Sequence, residues 1–170
     1  MRKFAVVVIG FCLLVTGCKA SKVSDLDKQA RIRTIYRQYA KEFPAVEGIT
    51  AAELRRLKRQ GKNLVLVDVR SLLETSVSYI PSAITTAEFE RDLAQYQNST
   101  VIVYCTIGYR SGLYAQKLQQ QGIEVLNLRG GLLAWSYAKG KLTDGTKDTR
   151  QVHVFSRQWQ LTRSSYEPIW

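Results

Sequence analysis

Two unbroken apolar runs, Leu64-Val65-Leu66-Val67 and Val101-Ile102-Val103-Tyr104, constrain the fold of this chain more than any other feature. Runs of this kind fill a sheet that is buried on both faces, where no polar residue needs to alternate with an apolar one. The segments around them read as helices. Thr50 and Glu53 form a capping box for a helix through Leu54 and Leu57 to Gln60, closed by Gly61. A helical stretch spans Phe89 to Tyr96, another runs from Ser111 to Gln121 and stops at Gly122, and Gly130-Gly131 opens one through Trp135. With a further strand around Val125 to Leu128, strands alternate with helices, which argues for an α/β fold on a parallel sheet. There is no internal repeat.

The chain has 170 residues, enough for one packed domain with extensions. Its first residues stand apart from that domain. Arg2 and Lys3 precede an apolar run from Phe4 to Val15 and then Thr16-Gly17-Cys18, the pattern of a secretory signal. The run falls short of the roughly 20 apolar residues a membrane-spanning helix needs. Leu14-Val15-Thr16-Gly17-Cys18 resembles the bacterial lipoprotein box, so residues 1–17 are expected to be a lipoprotein-type signal peptide. Acylation (palmitate) would then fall on Cys18, and the mature protein would be membrane-attached outside the cytoplasm.

Residues 18–47 read as a tether followed by an amphipathic helix. Ile32, Ile35, Tyr36, Tyr39 and Phe43 recur at helical spacing from Lys28 until Pro44, with Arg33, Arg37 and Lys41 on the other side. That helix either lies on anionic headgroups or docks its apolar stripe on the domain. The domain proper is expected at residues 48–140. Residues 141–170 form an extension that packs over it, with a strand-like patch at Val152 to Phe155 and aromatics at Trp159, Tyr166 and Trp170.

The net charge of +11 favours small anions or anionic lipid surfaces as partners. Export and the lack of a base-reading motif argue against nucleic acid. Cysteine use is more telling. Cleavage removes Cys12 and acylation occupies Cys18, which leaves Cys105 with no disulfide partner. An unpaired thiol in an oxidising compartment marks a reactive site.

Cys105 directly follows the 101–104 strand and is followed by Thr106-Ile107-Gly108-Tyr109-Arg110-Ser111. A thiol with an ordinary pKa of about 8.5 is mostly protonated at neutral pH, so a thiolate nucleophile needs stabilisation. The loop supplies it in three ways: successive N–H groups from Thr106 to Ser111 that can form an anion nest, the positive end of the following helix, and the Arg110 cation. Gly108 lets the loop fold back without a Cβ clash. Ser111 is expected to open and cap the helix.

At these residues the chain resembles the rhodanese family of sulfurtransferases, over roughly residues 48 to 140. Leu66-Val67-Asp68-Val69-Arg70 with Glu74 looks like the family's Asp-Val-Arg strand end, and Tyr79-Ile80-Pro81-Ser82-Ala83 resembles its His-Ile-Pro-Gly-Ala turn. Gly130-Gly131-Leu132-Leu133-Ala134-Trp135 is similar to its Gly-Gly-x-x-x-Trp signature. The resemblance implies a single doubly wound domain with helices on both faces and the cysteine loop at the carboxyl ends of the strands. It also implies that Cys105 takes sulfur from thiosulfate or a similar small anionic donor, holds it as a persulfide, and passes it to a thiol or cyanide. Thr106, Ile107, Gly108, Tyr109, Arg110 and Ser111 would bind the donor, and neither metal nor organic cofactor is required.

Four residues separate Cys105 from Arg110, whereas the related cell-cycle phosphatases have five, and the smaller ring favours sulfur over phosphate. A sensory or docking module of the same fold is the alternative reading; phosphatase or arsenate reductase action is the weaker one. Asp68, Arg70 and Glu74 are expected to form a structural brace. Tyr79 and Ser82 depart from the family's His and Gly, a change expected to affect packing. His153, the only histidine, is expected to lie in the tail rather than to form a dyad with Cys105.

Overall fold

A computed structural model describes residues 23–170; the expected signal segment 1–17 and the lipidation site Cys18 lie outside the described residues. The centre is a five-stranded, all-parallel sheet of β1 (Gly48–Ile49), β2 (Leu64–Asp68), β3 (Ala83–Thr85), β4 (Thr100–Tyr104) and β5 (Val125–Leu128), in the order β1-β5-β4-β2-β3. The two apolar runs are adjacent central strands, with Val65 opposite Val101 and Val67 opposite Val103. Alternate side chains of β4 serve opposite faces: Val101 and Val103 join one buried cluster, Ile102 and Tyr104 the other. Period-two geometry turns an unbroken apolar run into two half-cores.

Helix α1 (Asp25–Tyr39) precedes the sheet, and α2 (Ala51–Arg59), α3 (Leu72–Val77), α4 (Thr86–Arg91), α5 (Tyr109–Gln120) and α6 (Gly131–Tyr137) connect and cover it. The Thr50/Glu53 capping box is present at α2. Two more boxes, Ser71/Glu74 and Thr85/Glu88, start α3 and α4. The helix expected from Phe89 to Tyr96 is therefore α4, which starts at Thr86, followed after Asp92 by a 3-10 turn from Leu93 to Tyr96. Its capping box at Thr85 and Glu88 immediately precedes the first apolar residue of that stretch, Phe89.

The amphipathic helix also begins earlier than expected, at Asp25 with Ser24 as its cap, and ends at Tyr39 before a 3-10 turn. Its stripe docks on the domain: Ile32, Tyr36 and Phe43 are buried. No helix among the described residues is long and apolar enough to cross a membrane.

Residues after α6 form two small ribbons. β6 (Leu142–Thr143) pairs antiparallel with β7 (Asp148–Thr149), and β8 (Gln151–His153) pairs parallel with β9 (Glu167–Ile169). Leu142, Val152, Val154 and Leu161 are buried in the same cluster as Leu66 and Ile102. The tail is thus part of the core on that face. It is also fastened to α1, because the Ser164 N–H and hydroxyl both donate to the Asp25 carboxylate at 2.9 Å and Lys28 Nζ donates to the Thr162 carbonyl at 3.3 Å.

Candidate active site

Cys105 leaves the carboxyl end of β4 and is 1% exposed, at the floor of a cleft of about 200 Å³. The loop returns on itself at Gly108, whose φ of +95° favours glycine and whose missing Cβ leaves room for the Tyr36 ring. Its N–H points at the Cys105 Sγ, 3.2 Å away. Gly108 is also the N-cap of α5, so the helix opens at Tyr109 and not at Ser111. The first N–H groups of α5 then have no partner within the helix and face the loop side.

Ser111 lies one turn inside, fully buried, with its hydroxyl donating to Asn127 Oδ1 at 2.7 Å. Asn127 in turn donates from Nδ2 to the Gly108 carbonyl at 2.8 Å and to the Tyr36 hydroxyl at 3.4 Å. Ser111 therefore holds the loop from behind. Asn127 carries no local signal, since it reads as one polar residue in an apolar strand.

The other side of the loop is clamped by α6. Leu132 and Leu133 N–H groups donate to the Cys105 and Thr106 carbonyls at 2.9 and 3.1 Å. Gly130 and Gly131 both have positive φ, and a Cβ on Gly131 would collide with the Cys105 carbonyl oxygen. This explains the paired glycines: the second lets one backbone lie directly on another.

The charged residues resolve into two separate braces. Arg70 Nη2 and Asp68 Oδ2 are 2.7 Å apart and buried, and the same Nη2 donates to the Ser78 carbonyl at 2.6 Å. This pair ties the end of β2 to the segment before β3. Glu74 is not part of it. Its carboxylate receives both Arg110 terminal nitrogens, at 2.6 and 2.7 Å, the Thr106 hydroxyl at 3.2 Å and the Ser71 N–H at 3.1 Å. Burial works to raise the Glu74 carboxyl; the Arg110 hydrogen bonds, the Ser71 contacts and the Arg110 charge outweigh it and lower its pKa to about 2.

Arg110 is correspondingly held above the ordinary arginine range, first by its hydrogen bonds to Glu74, with the nearby Cys105 charge adding to them. The cation expected to stabilise the thiolate is thus already half of a bidentate ion pair. Thirty-six residues separate the partners, a distance that spacing rules do not reach.

The cleft walls come from outside the loop as well. Tyr39 of α1 packs on Tyr109 with ring centroids 4.7 Å apart. Phe155 and Trp159 from the tail complete the rim, and the Arg110 guanidinium lies 5.7 Å from the Phe155 ring centroid. His153 accepts the Phe155 N–H at Nδ1, 3.1 Å away, and does not line the cleft. Tyr79 is placed by a backbone bridge to Thr143, and Ser82 occupies a left-handed conformation with φ +70°. Among the described residues no cluster of side chains could hold a metal ion.

Residues 50–138 match the rhodanese-like domain family, and the chain belongs to it. A sulfurtransferase of Allochromatium vinosum is 33% identical over 101 residues, which cover 54% of this chain and 89% of that protein. An uncharacterized protein of Synechocystis is 35% identical over 113 residues, covering 61% of this chain and 63% of the relative, so the chain spans a little under two thirds of that protein's length. Among solved structures, a thiosulfate sulfurtransferase of Pseudomonas aeruginosa is similar with a TM-score of 0.56 and 25% identity, covering 73% of this chain and 24% of that one. Residues 23–49 and 139–170, which supply Tyr39, Phe155 and Trp159, fall outside the family match.

Proposed function

We propose that the protein is a sulfurtransferase in which Cys105 carries a sulfane sulfur from a donor of the thiosulfate type to a thiol or cyanide. The observation that carries this reading is a cysteine at a β4 carboxyl end, in a four-residue loop whose Gly108 N–H reaches the sulfur at 3.2 Å. The Cys105 thiolate attacks the outer sulfur of thiosulfate; the S–S bond breaks, and sulfite leaves with the bonding electron pair. Cys105 is left as a persulfide anion, stabilised by the loop N–H groups. An acceptor thiolate then attacks the terminal sulfur, and Cys105 departs as the thiolate. Each step is a displacement at sulfur that consumes no external oxidant or reductant.

Binding falls to the loop from Thr106 to Arg110, while Ser111 and Glu74 hold that loop and the Asp68–Arg70 pair fastens the end of β2 to the segment before β3. Mass spectrometry after incubation with thiosulfate should show one added sulfur on Cys105, absent in Cys105→Ser. An unmodified Cys105 with every sulfane donor tried would favour a sensory or docking module, and turnover of an aryl phosphate without sulfur uptake would favour a phosphatase.

The reading extends to location: an exported lipoprotein held at the membrane by acylated Cys18. Cys18→Ala should release the protein from the membrane fraction, and full retention would assign anchoring to another segment.

A further inference from the structure

The cleft over Cys105 has walls that a small inorganic dianion does not need. Ile107 and Tyr109 come from the loop, Tyr39 from α1, and Phe155 and Trp159 from the tail. Two of the three contributing segments lie outside the family match. Their positions are held by specific contacts: Tyr39 against Tyr109 at 4.7 Å, and Phe155 by its N–H on His153. Phe155 has φ +69° and is 62% exposed. A large apolar residue in that conformation, facing water, is strained and poorly buried, a combination that collects where a side chain serves a ligand.

The charges point the same way. Among the described residues Arg110 is the one charged side chain lining this cleft, and Glu74 already takes both its terminal nitrogens. The Tyr109 hydroxyl at the rim donates to Glu42, which adds a further carboxylate. Thiosulfate would bring two negative charges up to a thiolate here. Three anionic centres would then share one neutralised cation and a few N–H groups, in walls that solvate charge poorly. A volume of about 200 Å³, at roughly 30 Å³ per water, also exceeds what a five-atom anion fills.

We infer that the cleft selects sulfane donors with a small apolar, preferably aromatic, body and a single negative charge, and that Phe155, Trp159 and Tyr39 determine this specificity. The inference rests on Cys105 being the sulfur carrier. In an organic thiosulfonate the thiolate attacks the outer sulfur, the S–S bond breaks, and the sulfinate leaves with the electron pair, so charge and atoms balance as with thiosulfate. The apolar body lies against the rings while the sulfonyl oxygens meet the loop N–H groups.

Benzenethiosulfonate and methanethiosulfonate form a matched pair, with one charge and one type of leaving group but different bodies. Sulfur loading of full-length protein should show kcat/KM at least tenfold higher for benzenethiosulfonate, with thiosulfate slower than either. Phe155→Ala, which removes an exposed ring and leaves the core intact, should reduce the ratio severalfold, and Trp159→Ala should do so independently. Equal rates for the two thiosulfonates, or a ratio unchanged in both variants, would overturn the specificity and leave sulfur transfer standing. Failure of all three donors to load Cys105 would overturn both.

Discussion

Replacing Glu74 by glutamine tests whether the Arg110 pair is a structural fastening. In wild type the carboxyl is lowered from 4.5 to about 2. At about 1.4 kcal/mol per tenfold, the charged form is favoured in the folded state by roughly 3 kcal/mol. Arg110 is 36% exposed, so solvent screens part of that interaction, and about 2 kcal/mol is the expected loss at pH 7. For a chain of this size that corresponds to about 4–8 °C in Tm. Because the folded pKa lies below the unfolded one, the stabilisation is present above about pH 4.5 and is lost as pH falls towards 2. Urea unfolding of wild type and Glu74→Gln at pH 7, 5 and 3 should show the gap shrinking to less than half its neutral value by pH 3. A gap below about 0.5 kcal/mol at pH 7, or one that stays constant down to pH 3, would refute the assignment.

Substitutions at two further positions probe backbone conformation. Gly131→Ala places a methyl group on the Cys105 carbonyl at a residue with φ +53°; a loss of at least about 2 kcal/mol in urea unfolding and impaired sulfur loading are expected, and wild-type behaviour in both would sink the close-approach account. Ser82 has φ +70°; Ser82→Gly should gain about 0.5 kcal/mol and Ser82→Val should lose about 1–2 kcal/mol in thermal unfolding, and the reverse order would exclude left-handed strain there.

The parts of the fold that were legible in the sequence are those that local chemistry specifies. β2, β4 and β5 are apolar runs, and α2 carries its own capping box. β1 has two residues and β3 three, too few to show a pattern; their pairing follows from the neighbours β5 and β2. The starts of α3 and α4 carry the same Ser/Thr-x-x-Glu spacing as α2, at Ser71/Glu74 and Thr85/Glu88. In the site, Cys105 and its short loop stand out because they are contiguous. Asn127 behind the loop, Glu74 on Arg110, and the tail aromatics in front are contacts between distant segments. Asn127 is an unremarkable residue in its own stretch of sequence; Glu74 and Trp159 stand out locally, but only folding supplies their partners.

The clasp between Asp25 and Ser164 spans 139 residues, and its consequence concerns timing. The parallel sheet already demands non-local pairing, which is slow to form; the clasp adds a closure that waits until nearly the whole described chain has been synthesised. Until then Tyr39, Phe155 and Trp159 have no common frame, and the thiol of Cys105 sits in a nascent domain without its cover. Glu74, Asn127 and the α6 N–H groups that hold the nucleophile's loop lie within residues 48–140, but its shelter is the last thing to be built. A nascent or truncated chain would therefore expose the sulfur to whatever thiols and oxidants surround it before it becomes selective.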